Sequence, residues 1–539
     1  VESGLARSGA ALGLGDAALG REVAAFEYPV RAGGNIIYER LVLHDSERDY
    51  IRIQQRDNVR TIITTYNLLL KDLSSSVIAE NLALRLLTPL KVLFGESKIK
   101  GLRSQYVKRL ISRIIDDVVG TYELAAINLR IPPSYFLVKW VKSKIAILPH
   151  LSRLFWWLDT AGQGHEDYMR AVLDALVEEL DGACRVGMLV KADGFYSLNP
   201  DISLESVQIR KRLKIKGSLR PPLTDITRNP RLSLDVLRLV LSEMQQIEIS
   251  GLSELDPENL LYVPTARGLQ PVSHDEPLLE ALRTHLSLEK ANTEFRIERR
   301  GSLLNSTFLL RIYVDGSPHE HLFVKKYLSW SDIKWIAAKL WALPLRNFYL
   351  MPGTRMSNEL FFLSYLRERG FRVPAIVYVS WKEKALVEGA IEAITLTEAW
   401  TKMRASLGDD VLERATTEIG RLLAEIHGTG IVLGDCKPDN FLLRPETGEY
   451  WVVDLEQASL RGSQSWDLSE LVLYMGHYLS GEDAEKYASL ITRGYLEIGR
   501  RDVVEKALNS AFQFTMLPWT PIWTQVSMFK SISAELNRR

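Results

Sequence analysis

Between residues 432 and 443 the chain reads VLGDCKPDNFLL, so Asp435, Lys437, Asp439 and Asn440 sit together between two apolar runs. A further acid, Asp454, ends the apolar run of WVVDLEQA. Carboxylate, ammonium and amide groups at this spacing suit the transfer of a phosphoryl group from ATP. That chemistry needs a carboxylate to orient the attacking hydroxyl and take its proton, and further oxygen ligands to hold Mg²⁺ on the phosphates. Asp435 suits the first task, and Asn440 and Asp454 the second. Lys437, two residues past Asp435, faces the same side of an extended loop and could neutralise the moving phosphate.

These groups need elements to aim them. FLLRPETGEYWVVDLEQA reads as a hairpin with strands at 441–444 and 450–453, which would return Asp454 to the side of Asn440. The run from Val411 to Gly428 has Ile419, Leu422, Leu423 and Ile426 on one side and predicts a helix that leads into the loop. Upstream, from Phe295, three strand-like runs enclose a turn at Gly301 and Ser302, where backbone N–H groups could meet phosphate oxygens. The third run ends in Lys325 and Lys326, which face opposite sides of a strand. Lys325 is the expected phosphate ligand, with Lys326 in reserve. MSNELFFLSYLRERGFRVP predicts a helix ended by Gly370 and Pro374. Its Glu359 lies among apolar residues and calls for a cation, with the strand lysine the evident partner; a first-turn acid favoured by the helix dipole is the plainer alternative. A crossing segment at Glu388–Ile391 would join two lobes and line the nucleotide site.

GDCKPDN followed by VVDLEQA resembles the catalytic and metal loops of the protein-kinase superfamily, with DLE in place of DFG. SWDLSELVLYMG, with Asp467, resembles the buried aspartate and helix that follow in its compact members. With Lys325 and Glu359 the resemblance covers residues 292–539, and it implies a bilobal kinase-like fold using ATP and Mg²⁺. Leu433-Gly434 replaces the His-Arg of the usual loop, no APE motif is present, and Asp454 to Asp467 is too short for a long activation segment. This short form resembles the atypical group: RIO kinases, the small kinase of the KEOPS complex, lipopolysaccharide core kinases, and aminoglycoside or choline phosphotransferases. Lys437-Pro438 leans towards its protein-kinase side. The expectation is therefore an atypical serine/threonine protein kinase with a protein substrate, whose N-terminal region recruits that substrate or a partner. A small-molecule kinase acting on a sugar, lipid headgroup or aminoalcohol is the alternative. A nucleotide-regulated nucleic-acid-binding module is a third. Cys436 and His427 read as structural.

The expected fold class is α+β, a kinase-like C-terminal domain after a mostly helical N-terminal region with a winged-helix-like part. Residues 1–34 read as a flexible tail, 35–160 as a mainly helical domain that opens with two strands around HDSERD, 161–290 as a winged-helix-like and basic linker region, and 291–539 as the kinase-like domain. In the linker, YMRAVLDALVEEL predicts an amphipathic helix and Asp193-Gly194 a tight hairpin turn. The segment 207–231 carries eight Lys or Arg against one acid, which could follow a phosphate backbone or simply be solvated. Another helix is expected from Ser331, with Trp330, Trp335 and Trp341 as packing residues. Lys plus Arg equals Asp plus Glu at 67 each, so any basic surface is local. Two cysteines exclude a disulfide framework and a thiolate zinc cluster, and point to a reducing, cytoplasmic setting. No stretch reaches the apolar length of a membrane span.

Overall fold

The computed structural model describes residues 20–56, 59–158, 165–200, 230–244, 256–274, 276–288, 292–300, 307–327 and 349–538. Gly301 and Ser302, the stretch from Trp330 through Ser331, Trp335 and Trp341, and the basic segment up to 229 lie outside them. The chain forms two compact units: one of residues 1–120 and 131–260, the other of 121–130 and 261–539.

The first unit holds a five-stranded sheet built from β1 (Arg21–Ala32), β2 (Asn35–Asp45), β3 (Ile51–Arg56), β4 (Val59–Thr65) and β5 (Lys91–Phe94), in the order β3-β4-β2-β1-β5. The two strands expected around HDSERD are β2 and β3, but they do not pair; β4 lies between them, parallel to β2. The expected tail to residue 34 is corrected by β1. Its Ala24, Phe26, Tyr28 and Val30 are buried between β2 and β5, and the small residues at 24 and 25 hide the strand pattern in the sequence. The N-terminal region is therefore rich in sheet as well as helical. Its helices are α1 (Tyr66–Ser75), α2 (Glu96–Tyr122), which runs to the edge of the unit, α3 (Pro133–Ile145), α4 (Glu166–Arg185) and α5 (Pro230–Met244). After α4, which buries Val172, Leu176 and Leu180, comes the hairpin of β6 (Leu189–Ala192) and β7 (Phe195–Leu198). Asp193 and Gly194 both take positive φ, 51° and 80°, as a two-residue turn matched to strand twist requires.

The second unit begins before the expected boundary at 291. A small hairpin, β8 (Tyr262–Thr265) with β9 (Gly268–Pro271), and α6 (Leu278–His285) come first. They belong with the kinase-like part because Leu278, Ala281 and Leu282 are buried in one cluster with Leu310, Ile312, Leu322 and Val387 of its sheet. That sheet is antiparallel, from β10 (Thr293–Arg300), β11 (Thr307–Val314), β12 (Ser317–Lys326), β13 (Ile376–Ser380) and β14 (Ala385–Gly389), ordered β10-β11-β12-β14-β13. Between β12 and β13 runs α7 (Pro352–Glu368). Beyond β14 come β15 (Ile394–Thr395), α8 (Leu396–Thr401), α9 (Arg404–Leu407), α10 (Asp409–Gly428), β16 (Phe441–Arg444) and β17 (Glu449–Val452). Five helices follow: α11 (Gln464–Met475), α12 (Glu482–Ile498), α13 (Arg501–Ala507), α14 (Ser510–Met516) and α15 (Ile522–Arg538). Helices α10 and α12 pack backbone to backbone, since a Cβ on Gly420 would strike the Ile491 carbonyl and one on Gly494 that of Thr417.

Candidate active site

Strand alternation sends the two lysines to opposite faces of β12. Lys325 lies opposite Leu386 on β14, is buried, and its Nζ donates to Glu359 Oε1 at 2.7 Å. Lys326 turns to the other face, where it pairs with Glu383 at 2.8 Å. Lys325 also approaches Glu388 Oε1 at 3.4 Å and Asp454 Oδ1 at 3.7 Å. Burial alone would lower its pKa, but Glu359, Glu388 and Asp454 outweigh it and hold the ammonium well above its ordinary value. Glu388, the penultimate residue of β14, turns its side chain to Lys325, and with Gly389, Ala390 and Ile391 it lines the cavity described below.

Glu359 is fully buried on α7, one turn beyond Arg355. Helix α7 is steadied by the segment 121–130, which belongs to this unit. Ser357 Oγ donates to the Tyr122 carbonyl at 2.7 Å and accepts from the Ala125 N–H at 2.9 Å, and Thr354 Oγ1 donates to Glu123 at 2.8 Å. Burial pushes the Glu359 carboxyl up to about 7; Lys325 pulls the other way, and Glu388 and Asp454 add to the rise.

The loop of residues 432–440 is held from beneath. Asp467, on α11, accepts from the backbone N–H of Leu433 at 2.5 Å and of Gly434 at 2.8 Å. Its Oδ2 also meets His427 Nε2 at 3.1 Å, while His427 Nδ1 meets the Tyr495 hydroxyl at 2.9 Å. His427 is thus a fully engaged structural group. Gly434 adopts φ 84°, which favours glycine. Glu470 accepts from the Cys436 N–H at 2.8 Å and from Trp466 Nε1 at 3.0 Å, and buried Cys436 packs inside.

Asp435 and Lys437 face each other, Oδ1 to Nζ 2.6 Å, and Nζ lies 5.7 Å from the centre of the Tyr474 ring. Burial opposes the lysine's charge, but Asp435 and Glu470 prevail and raise its pKa. Asn440 Nδ2 donates to the Asp435 carbonyl at 2.7 Å, which leaves the amide oxygen as its free acceptor. The β16–β17 hairpin pairs Phe441 with Val452, and the Val453 N–H donates to the Asn440 carbonyl at 3.0 Å. Asp454 follows at φ 62°, a conformation costly for a non-glycine residue and found where surrounding structure enforces it.

Lys325, Glu388, Asn440 and Asp454 line a cavity of about 510 Å³, whereas Glu359, Asp435 and Lys437 stand outside its lining; the volume is within the range of small-ligand sites. Leu309, Phe323, Ile391 and Leu442 supply apolar walls, and Lys325, Glu388, Asn440 and Asp454 the polar end. Two lining residues escaped the sequence reading. Glu456, two past Asp454, pairs with Arg355 at 3.1 Å, and burial with the nearby Asp454 pushes its carboxyl up to about 7. The signal was the i, i+4 spacing of Arg355 and Glu359, which puts both on one helix face. At this end of the cavity Glu388, Asp454 and Glu456 lie about Lys325 and Arg355, with Glu359 behind Lys325. Asn440 Oδ1 and the Asp454 carboxylate are hard oxygen donors of the kind a divalent cation takes, while among the described residues no group of three or more His, Cys, Asp or Glu is arranged to hold a metal ion.

Residues 321–489 match the model of a family described as lipopolysaccharide kinase (Kdo/WaaP). That span includes Lys325, Glu359, Asp435, Asn440, Asp454 and Asp467, and the family lies within the protein-kinase-like superfamily. The match implies an ATP-dependent kinase, a phosphotransferase. A search of curated proteins returns no match. Among the described residues no helix is long and apolar enough to cross a membrane.

Proposed function

We propose that this chain transfers the γ-phosphoryl group of ATP to a hydroxyl of a sugar or sugar-bearing small molecule. The observation that carries the reading is one cavity lined by Lys325, Asn440 and Asp454, with Glu359 paired to Lys325 and the Asp435 carbonyl bonded to Asn440 just outside its lining. Lys325, aligned by Glu359, would bind the ATP phosphates, and the walls around Phe323 and Ile391 the base. Asp435 would orient the acceptor hydroxyl and take its proton as the new P–O bond forms and the β,γ-bridging bond breaks. Lys437 would offset charge on the transferring group. Asn440 and Asp454 would hold Mg²⁺, which when bound supplies charge neutralisation on the phosphates.

The sugar acceptor is favoured by the matched family's description. A serine or threonine hydroxyl of a protein is the second reading, favoured by the Asp435-x-Lys437 spacing. In that case the first unit would recruit the substrate. Incubation with γ-labelled ATP and Mg²⁺ separates them: label should enter phosphorylated sugars or glycans in one case and protein in the other. Asp435→Asn should lower kcat by about 10²–10⁴-fold while ATP binding persists. Transfer that survives this substitution intact would refute the assignment.

A further inference from the structure

Glu456 occupies the third place of Asp454-Leu455-Glu456, where the superfamily motif has glycine. Glycine leaves such a loop free to turn over. Here the position is tied down. The Glu456 carboxylate accepts from Arg355 Nε and lies as close to Nη2, both at 3.1 Å, with both residues buried. Asn358 Nδ2 donates to the Glu456 carbonyl at 3.2 Å. Gln457 accepts from the Tyr349 N–H at 2.9 Å and donates to the Tyr349 carbonyl at 3.2 Å. Tyr349 leads into α7, and Arg355 and Asn358 stand on it one turn and one residue before Glu359. Leu455, between the two acids, is buried.

We propose that Arg355 and Glu456, backed by Gln457, form a latch that fixes the Asp454 loop against the helix bearing Glu359. With the latch closed, Lys325 is held at once by Glu359 and near Asp454 before nucleotide arrives. Opening it would separate a buried arginine from a buried carboxylate, which favours the closed form. Arg355 and Glu456 are thus positioning residues: they act through the aim of Glu359 and Asp454. The inference rests on the phosphotransferase reading for its catalytic consequence, although the latch itself is a property of the fold.

The test uses the full chain with Arg355→Gln, Glu456→Gln, the double variant, and the charge exchange Arg355→Glu/Glu456→Arg. Amide hydrogen exchange over 349–360 and 454–459 reads the latch, and steady-state kinetics reads its consequence. Each single variant should speed exchange in both segments and lower kcat about tenfold or more, with KM for ATP within about threefold. The double variant should lose no more than either single, and the charge exchange should recover part of both signals. If a glutamine variant melts below the assay temperature, Arg355→Lys keeps the charge without the planar fork and should show the same pattern at smaller size. Unchanged exchange and kcat in the single variants, or losses that multiply in the double, would overturn the latch. If the parent chain transfers phosphate to no acceptor while exchange follows the expected pattern, the functional reading fails and the latch stands.

Discussion

Replacing Lys325 with methionine keeps the length of the side chain and removes its charge. In the folded protein the ammonium lies close to three carboxylates, at 2.7 Å from Glu359, 3.4 Å from Glu388 and 3.7 Å from Asp454. Removing one partner of a buried ion pair costs about 3–5 kcal/mol, because the other charge is left uncompensated. Glu359 is already poised: its carboxyl sits at about 7 against an ordinary 4.5, so keeping it ionised in the fold costs about 3 kcal/mol. Because the folded value is the raised one, the folded state holds this proton more tightly than the unfolded state. The stability owed to Glu359 is therefore complete below about 4.5 and is lost as pH rises to about 7. Without Lys325 that loss extends to higher pH. Lys325→Met should lower the melting temperature of the second unit by on the order of 10 °C at pH 8, and the gap should narrow at pH 5.5. Glu359→Gln is the control: it should cost much less, since Lys325 keeps Glu388 and Asp454. Thermal unfolding of both variants at the two pH values decides. Equal, pH-independent losses would show that packing, and not charge, governs this site.

Asp467→Ala should destabilise the loop of residues 432–440 by about 2–4 kcal/mol, because the buried N–H groups of Leu433 and Gly434 lose their acceptor; denaturant titration measures it. Gly420→Ala should cost about 1–3 kcal/mol by forcing α10 away from the Ile491 carbonyl on α12, with activity following stability in a thermal inactivation assay. Binding of Mg-ATP should release protons at pH 6.5 and few at pH 8.5, since Glu359 and Glu456 sit at about 7 in the unliganded cleft and a bound cation favours their ionised forms. A pH indicator in weak buffer reads this release, and Glu456→Gln should reduce it.

The proposed site was picked out by residue type. Phosphoryl transfer admits few substitutes for a carboxylate base, an amide and a second carboxylate at fixed spacing, so Asp435, Asn440 and Asp454 are the residues the sequence offers for those roles. The hairpin that returns Asp454 to Asn440 was legible too, because its apolar alternation and its turn are local. The first unit was harder. Strand β1 is specified by the strands on either side of it, and the pairing of β4 with β2 is a long-range choice that no local pattern encodes. The domain boundary failed for the same reason: α6 and the segment 121–130 join the second unit through burial against Leu310 and hydrogen bonds to Ser357.

Period-two alternation put Lys325 and Lys326 on opposite faces from the start, yet it could not say which face was the cleft. Only the fold, by turning one face of β12 towards α7, decided that. Residue 456 makes the complementary case. The letter was visible as a departure from glycine, but its meaning depends on Arg355, about a hundred positions earlier in the chain. Sequence determines which groups can do chemistry, because that resides in side-chain type. Tertiary structure decides which of them share a desolvated space, and it is there that a charge acquires its partner and its pKa.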